Sequence, residues 1–138
     1  MSMSREDKKE YLKKYRNAKE KMEMGEDMAK YYLDLQKRLE GGWLKPPNRD
    51  VAGYQRYAGL LDRVKKFRKK ISLGCKNSKK ISEEIKNVVL SIHDDQEADV
   101  LRMRYLEGKT VEEIADTMSY CCASIGRIHK RALDNLDL

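Results

Sequence analysis

The chain has 138 residues, with 30 Lys+Arg against 23 Asp+Glu and a net charge of +7, a length that suits one domain or a small domain carrying a helical extension. Ala, Glu, Lys, Leu and Arg supply 64 of the residues and Leu, Ile, Val and Phe only 28, which favours long helices and argues against a large apolar-cored enzyme. No apolar run nears the roughly 18 residues that cross a bilayer, the N-terminus lacks a signal peptide's apolar segment, and the three cysteines have neither zinc spacing nor an even count. A cytoplasmic protein without metal or cofactor is expected. From Ser4 to Glu40 there is no proline, and residues 11, 15, 18, 22, 25, 29, 32, 36 and 39 step by alternating four and three. That spacing predicts a heptad-like helix, loosened where Gly25 and Gln36 enter the seam.

Residues 41–50 hold both prolines and two adjacent glycines, and so form a loop, with Asp50 the N-cap of the next helix and Trp43 packed to anchor the turn. This second long helix is predicted over 51–92. Its seam is read as Tyr54, Tyr57, Leu61, Val64, Arg68, Ile71, Cys75, Ser78, Ile81, Ile85, Val88 and Ile92, with a possible break near Gly74. The two helices then make an antiparallel hairpin, and Tyr11, Tyr15, Tyr32, Tyr54 and Tyr57 read as its core. Residues 51–81 carry ten basic side chains against the single Asp62. The excess concentrates in a stripe, Arg63, Lys65, Lys66, Arg68, Lys69 and Lys70, that suits either a solvated face or a polyanion.

The last third changes character. Asp94 or Asp95 caps a helix over 96–107 that ends at Gly108, and Thr110 with Glu113 forms a capping box opening a helix over 111–118. After a break at Ser119–Cys121, a third helix runs over 122–136, with Arg127, Lys130 and Arg131 outward. Two short helices joined by a three-residue turn make a helix-turn-helix. The expected fold is therefore all-α: a coiled-coil-like hairpin over 1–92, then a helix-turn-helix domain over 93–138. Residues 82–138 carry 7 basic and 12 acidic side chains, an unfavourable balance for DNA that a local basic patch can overcome. His93 and His129 lack partners at useful spacing, Cys121 and Cys122 read as small packing residues, and no phosphate loop or nucleophile elbow occurs. These residues do not describe an enzyme.

The stretch from Asp95 to Ala115, with Val100-Leu101-Arg102-Met103-Arg104-Tyr105-Leu106-Glu107-Gly108 ahead of Thr110 and Glu112-Glu113-Ile114-Ala115, resembles region four of bacterial sigma factors. Residues 125–133 are similar to the end of that module. A long hairpin before it also resembles small phage late-gene transcription regulators of the ArpU/RinA-like group. The resemblance implies a sequence-specific regulator of double-stranded DNA, phage- or prophage-encoded and acting in a bacterial host. RNA polymerase is a further partner, and dimerisation would run through the hairpin. A polymerase-binding sigma-like factor and a small terminase-like packaging protein are the alternatives. On this resemblance Arg127 is the base-reading candidate, and Ser124, Lys130, Arg131, Lys109 and Thr110 are phosphate candidates. The family's large polar readers are replaced here by Cys122 and Ala123, which make no bidentate base contact.

Overall fold

The computed structural model describes residues 3–47 and 49–138, and Met1, Ser2 and Asn48 (the last within the expected loop) lie outside the described residues. The chain is all-α, as its composition predicts: α1 (Arg5–Glu40), α2 (Val51–Leu90), α3 (Asp95–Leu101), α4 (Val111–Met118) and α5 (Cys122–Asn135). A π-helical turn over Arg102–Leu106 comes directly after α3. Two compact units form, one from Met1–Lys19 with Lys79–Leu138 and one from Glu20–Ser78. The first unit groups the start of α1 and the end of α2 with the C-terminal helices.

In the unit over 20–78 the two helices pack antiparallel along their heptad seams. Gly25 lies against Cys75, where an added Cβ would stand 3.4 Å from the Cys75 Cβ, an ordinary van der Waals contact, so the seam accepts glycine here without requiring it. The Cys75 thiol donates to the Met22 carbonyl at 3.2 Å. Gln36, the other loose position, accepts a hydrogen bond from Arg68 Nε at 2.8 Å and donates to Glu40 at 2.8 Å. Arg68 is thus a seam residue, and its partner satisfies it. The Tyr57 hydroxyl donates to the Leu39 carbonyl. Tyr54 is half exposed, which removes it from the expected core.

α1 ends in a Schellman motif: Trp43 N–H donates to the Arg38 carbonyl, Gly42 N–H to that of Leu39, and Gly42 has φ 101°. Trp43 itself is 49% exposed and does not anchor the turn as expected. Asp50 caps α2 through Gly53 N–H at 2.9 Å, as its position predicts. α2 does not break at Gly74. That glycine faces open space, and seam residues on both sides hold the helix through its cost of about 1 kcal/mol.

In the other unit the α2 seam departs from the expected path. Ser82 and Val89 are buried, whereas Ile81 is 45% exposed and Val88 only partly covered. Burial therefore keeps the strict four-three alternation through 75, 78, 82, 85 and 89, and the Ser82 hydroxyl is satisfied by the Lys79 carbonyl at 2.9 Å. One apolar cluster gathers Leu12 and Tyr15 of α1, Ile85 and Val89 of α2, Leu101 of α3, Tyr105, and Leu133 and Leu136 at the end of α5. A second, under α4 and α5, holds Val100, Met103, Ile114, Ala115, Ile125 and Ile128. The segment 100–105 lies between both clusters and buries residues on two faces. There the expected α-helix through Glu107 widens, with Glu107 N–H donating to Arg102 O.

Candidate nucleic-acid interface

The helix-turn-helix is built from local signals. Thr110 accepts from Glu113 N–H at 3.2 Å while the Glu113 side chain reaches back to the Thr110 N–H, completing the predicted capping box. Ser119 ends α4 in the left-handed region at φ 60°, a conformation glycine adopts without strain. Tyr120 in the turn accepts from Gln96 Nε2 at 2.6 Å. Cys121, the N-cap of α5, makes no side-chain cap hydrogen bond. Asp94 caps α3 through Glu97 N–H at 3.0 Å.

α5 buries Ile125, Ile128, Ala132 and Leu133 and turns Cys122, Ala123, Arg127, Lys130 and Asp134 outward. Arg127 donates to Ser124 Oγ at 3.1 Å, and Ser124 also lies 3.2 Å from the Cys121 sulfur. That serine hydroxyl is the main reason the Cys121 thiol sits below its ordinary pKa. Cys121 and Cys122 are both exposed, so neither fills the packing role expected of them. Lys130 is exposed. Arg131 is committed inward: its Nε donates at 2.9 Å to Glu97 Oε1, a carboxylate only 3% exposed that also receives Asn135 Nδ2 at 2.9 Å. The Thr110 hydroxyl is occupied in its capping box, and Lys109 pairs with Glu107 at 3.7 Å.

The basic stripe does not form one face. Successive positions of an α-helix advance by about 100°, so Arg63, Lys66 and Lys70 gather around Phe67 and Tyr32, where an open cavity of about 480 Å³ lies. Lys65 pairs instead with Glu40 at 3.7 Å, Lys66 with Asp62 at 3.0 Å, and Arg68 enters the seam. Lys69 is exposed.

α1 supplies what sequence reading missed. Lys8 is buried and its Nζ donates to the carbonyls of Leu133 and Leu136, each at 2.8 Å, so a cation closes the C-terminal end of α5 where the helix dipole favours it. Arg5 grips Asp134 through two bonds of 2.6 Å, which holds that carboxyl below its ordinary pKa and offsets the one acidic group on the outward arc of α5. The signal was present, because one step of the α1 seam backward from Tyr11 lands on Lys8. With residues 1–19 and with Lys79 and Lys80 of α2 included, the unit holding α5 carries 16 basic and 15 acidic side chains, a net of +1, whereas residues 82–138 alone stand at −5.

His129 is not on the outward arc. Its ring stacks on Tyr105, with Nε2 2.7 Å from the Tyr105 hydroxyl. Burial first, then Lys9 and Arg104, lower its pKa to about 4, and burial raises Tyr105 to about 12.

A three-residue turn between α4 and α5, with the Arg-Tyr-Leu-Glu-Gly run ahead of it, is the decisive arrangement. Residues 91–137 match the family model of Sigma-70, region 4. Sigma-70 region 4 is a DNA-binding helix-turn-helix region rather than a catalytic one. No curated protein and no solved structure matches the chain. The region 4 module here rests on the first turns of α1 and the last turns of α2 as well as on its own helices. No helix among the described residues is long and apolar enough to cross a membrane.

Proposed function

We propose that the chain is a sequence-specific transcriptional regulator of phage or prophage origin that lays α5 in the major groove of double-stranded DNA. The observation that carries the reading is the outward arc of α5, where Arg127 and Lys130 stand exposed on a region 4 module. Arg127, free of any carboxylate among the described residues, is the base reader, since an arginine in the groove pairs bidentately with guanine. Lys130 and the exposed half of Arg131 contact phosphates, which position the helix without specifying sequence. Lys109 and Thr110, at the start of α4, are secondary phosphate contacts, Thr110 once its capping box with Glu113 opens. The stripe lysines on α2 add non-specific attraction.

A dimer formed through the hairpin would present two recognition helices to half-sites about one helical turn apart. Supporting it, the unit over 20–78 leaves Met24, Met28, Tyr31, Phe67 and Leu73 more than two-fifths exposed, a composition typical of interface anchors. Arg127→Ala is expected to cost ~1–3 kcal/mol on the preferred site and to relax specificity, and Lys130→Ala to weaken all sequences alike. Competition binding against random DNA reads the difference, and equal losses on both DNAs for both variants would reject the assignment.

A polymerase-binding role is the second reading. The observation favouring it is the first turn of α5, where Cys122 and Ala123 offer no bidentate reader. Co-purification with RNA polymerase in the absence of DNA would move that reading ahead.

A further inference from the structure

The unit containing α5 holds a cavity of about 340 Å³ that DNA binding by the outward arc does not use. Lys9, Lys13 and Arg16 of α1 and Arg104 of the π-helical turn line it, with Tyr105 and His129 as its remaining side chains. Four cations converge and no carboxylate lines the cavity. Glu6 and Glu10 stand behind, paired with Lys9 at 3.1 Å and Lys13 at 3.6 Å in exposed i,i+3 contacts that an incoming anion outcompetes at little cost.

The two guanidinium groups are placed by the backbone. Arg16 lies over Gly108, where any Cβ would occupy the space of its Nη1, and Gly108 has φ 72°. Arg104 Nη1 donates to the Lys109 carbonyl at 3.2 Å. Neither arginine has an ion-pair partner among the described residues. Tyr105 and His129, bonded to each other, add polar atoms without negative charge.

We infer that this cavity binds a small polyanion of the oligophosphate class, either inorganic or the phosphate tail of a nucleotide. Its volume matches the lower end of small-molecule sites, about 300 Å³, and convergent Lys and Arg are the chemistry that recognises phosphate. A phosphate of the DNA backbone has the same chemistry. The free ligand is the better fit because His129 lies about 160° around α5 from Arg127, on the side that packs toward α1. An anion in the cavity lies beside His129, whose ring lines it, so binding shifts the His129 resonances.

The test is titration of the full chain with tripolyphosphate at constant ionic strength, monitored by calorimetry and by the His129 ring proton resonances. Saturable 1:1 binding is expected, with the His129 resonances shifting in step with it. Arg104→Ala and Lys13→Ala should each weaken it about tenfold, or ~1.4 kcal/mol. Lys13 is well exposed, so its variant tests the site even if Arg104→Ala fails to fold. Lys69→Ala and Arg127→Ala should leave binding unchanged. Absence of saturation, or an equal loss in Lys69→Ala, would overturn the site. Displacement of bound DNA by tripolyphosphate, together with a DNA salt slope reduced by about one in Lys13→Ala, would assign the cavity to a backbone phosphate and overturn the free-ligand reading.

Discussion

Thr110 and Ser119 bracket α4 with opposite degrees of fit. The Thr110 hydroxyl accepts from the Glu113 N–H in its capping box, so Thr110→Ala should cost ~1 kcal/mol in denaturant unfolding. Ser119 sits in the left-handed region, where a β-branched residue is strongly disfavoured. Ser119→Val should therefore cost ~1–2 kcal/mol, while Ser119→Gly should lose nothing; similar losses in both would place the cost in the hydroxyl instead. His129 sets a pH dependence. Its folded pKa of about 4 lies below its unfolded value of about 6.5, so the unfolded chain binds the extra proton. Its contribution is complete above pH 6.5 and is lost as pH falls toward 4. Burial, Lys9 and Arg104 all act in this direction. Thermal melts should show stability falling between pH 7 and 5, and His129→Asn should flatten that fall.

Among elements, α5 depends most on contacts distant in sequence. Glu97 of α3 holds Arg131 and Asn135 from a buried position, so Glu97→Ala removes that tie between α3 and α5 and should cost ~1 kcal/mol, with water pairing the exposed donors. Lys8→Met keeps the aliphatic stem but strips the last carbonyls of α5 of their donor, and should cost about 1–2 kcal/mol, with amide exchange accelerated first near Leu133. The same division separates legible from illegible features of the sequence. Local chemistry was legible: the Asp50, Asp94 and Thr110 caps, the Gly108 stop and the α1 seam each depend on neighbours a few positions away. The pairing of Arg131 with Glu97 is not legible in the sequence, because the two lie 34 positions apart. Side-chain type favours isoleucine over serine, and so predicts the α2 seam through Ile81 rather than Ser82. Burial keeps to the heptad instead, since a serine can satisfy itself on its own helix. The π-helical turn has no signature in residue type and arises from burying Val100, Leu101, Met103 and Tyr105 between two clusters.

At the scale of the molecule, the acidity of the region 4 segment is offset within its own compact unit by the first turns of α1 together with Lys79 and Lys80 of α2, and Arg5 covers the acidic group on the outward arc of α5. Base readout by Arg127 of a specific DNA site is the central claim, and selection from a genomic fragment library tests it most directly. Purified protein would be passed over the library at several salt concentrations and the retained fragments sequenced, beside Arg127→Ala. One short site should be enriched, with retention falling steeply as salt rises, and the enrichment should disappear in Arg127→Ala while salt-sensitive retention persists. Uniform retention of all fragments by the unmodified protein would contradict the claim, leaving phosphate attraction without base reading.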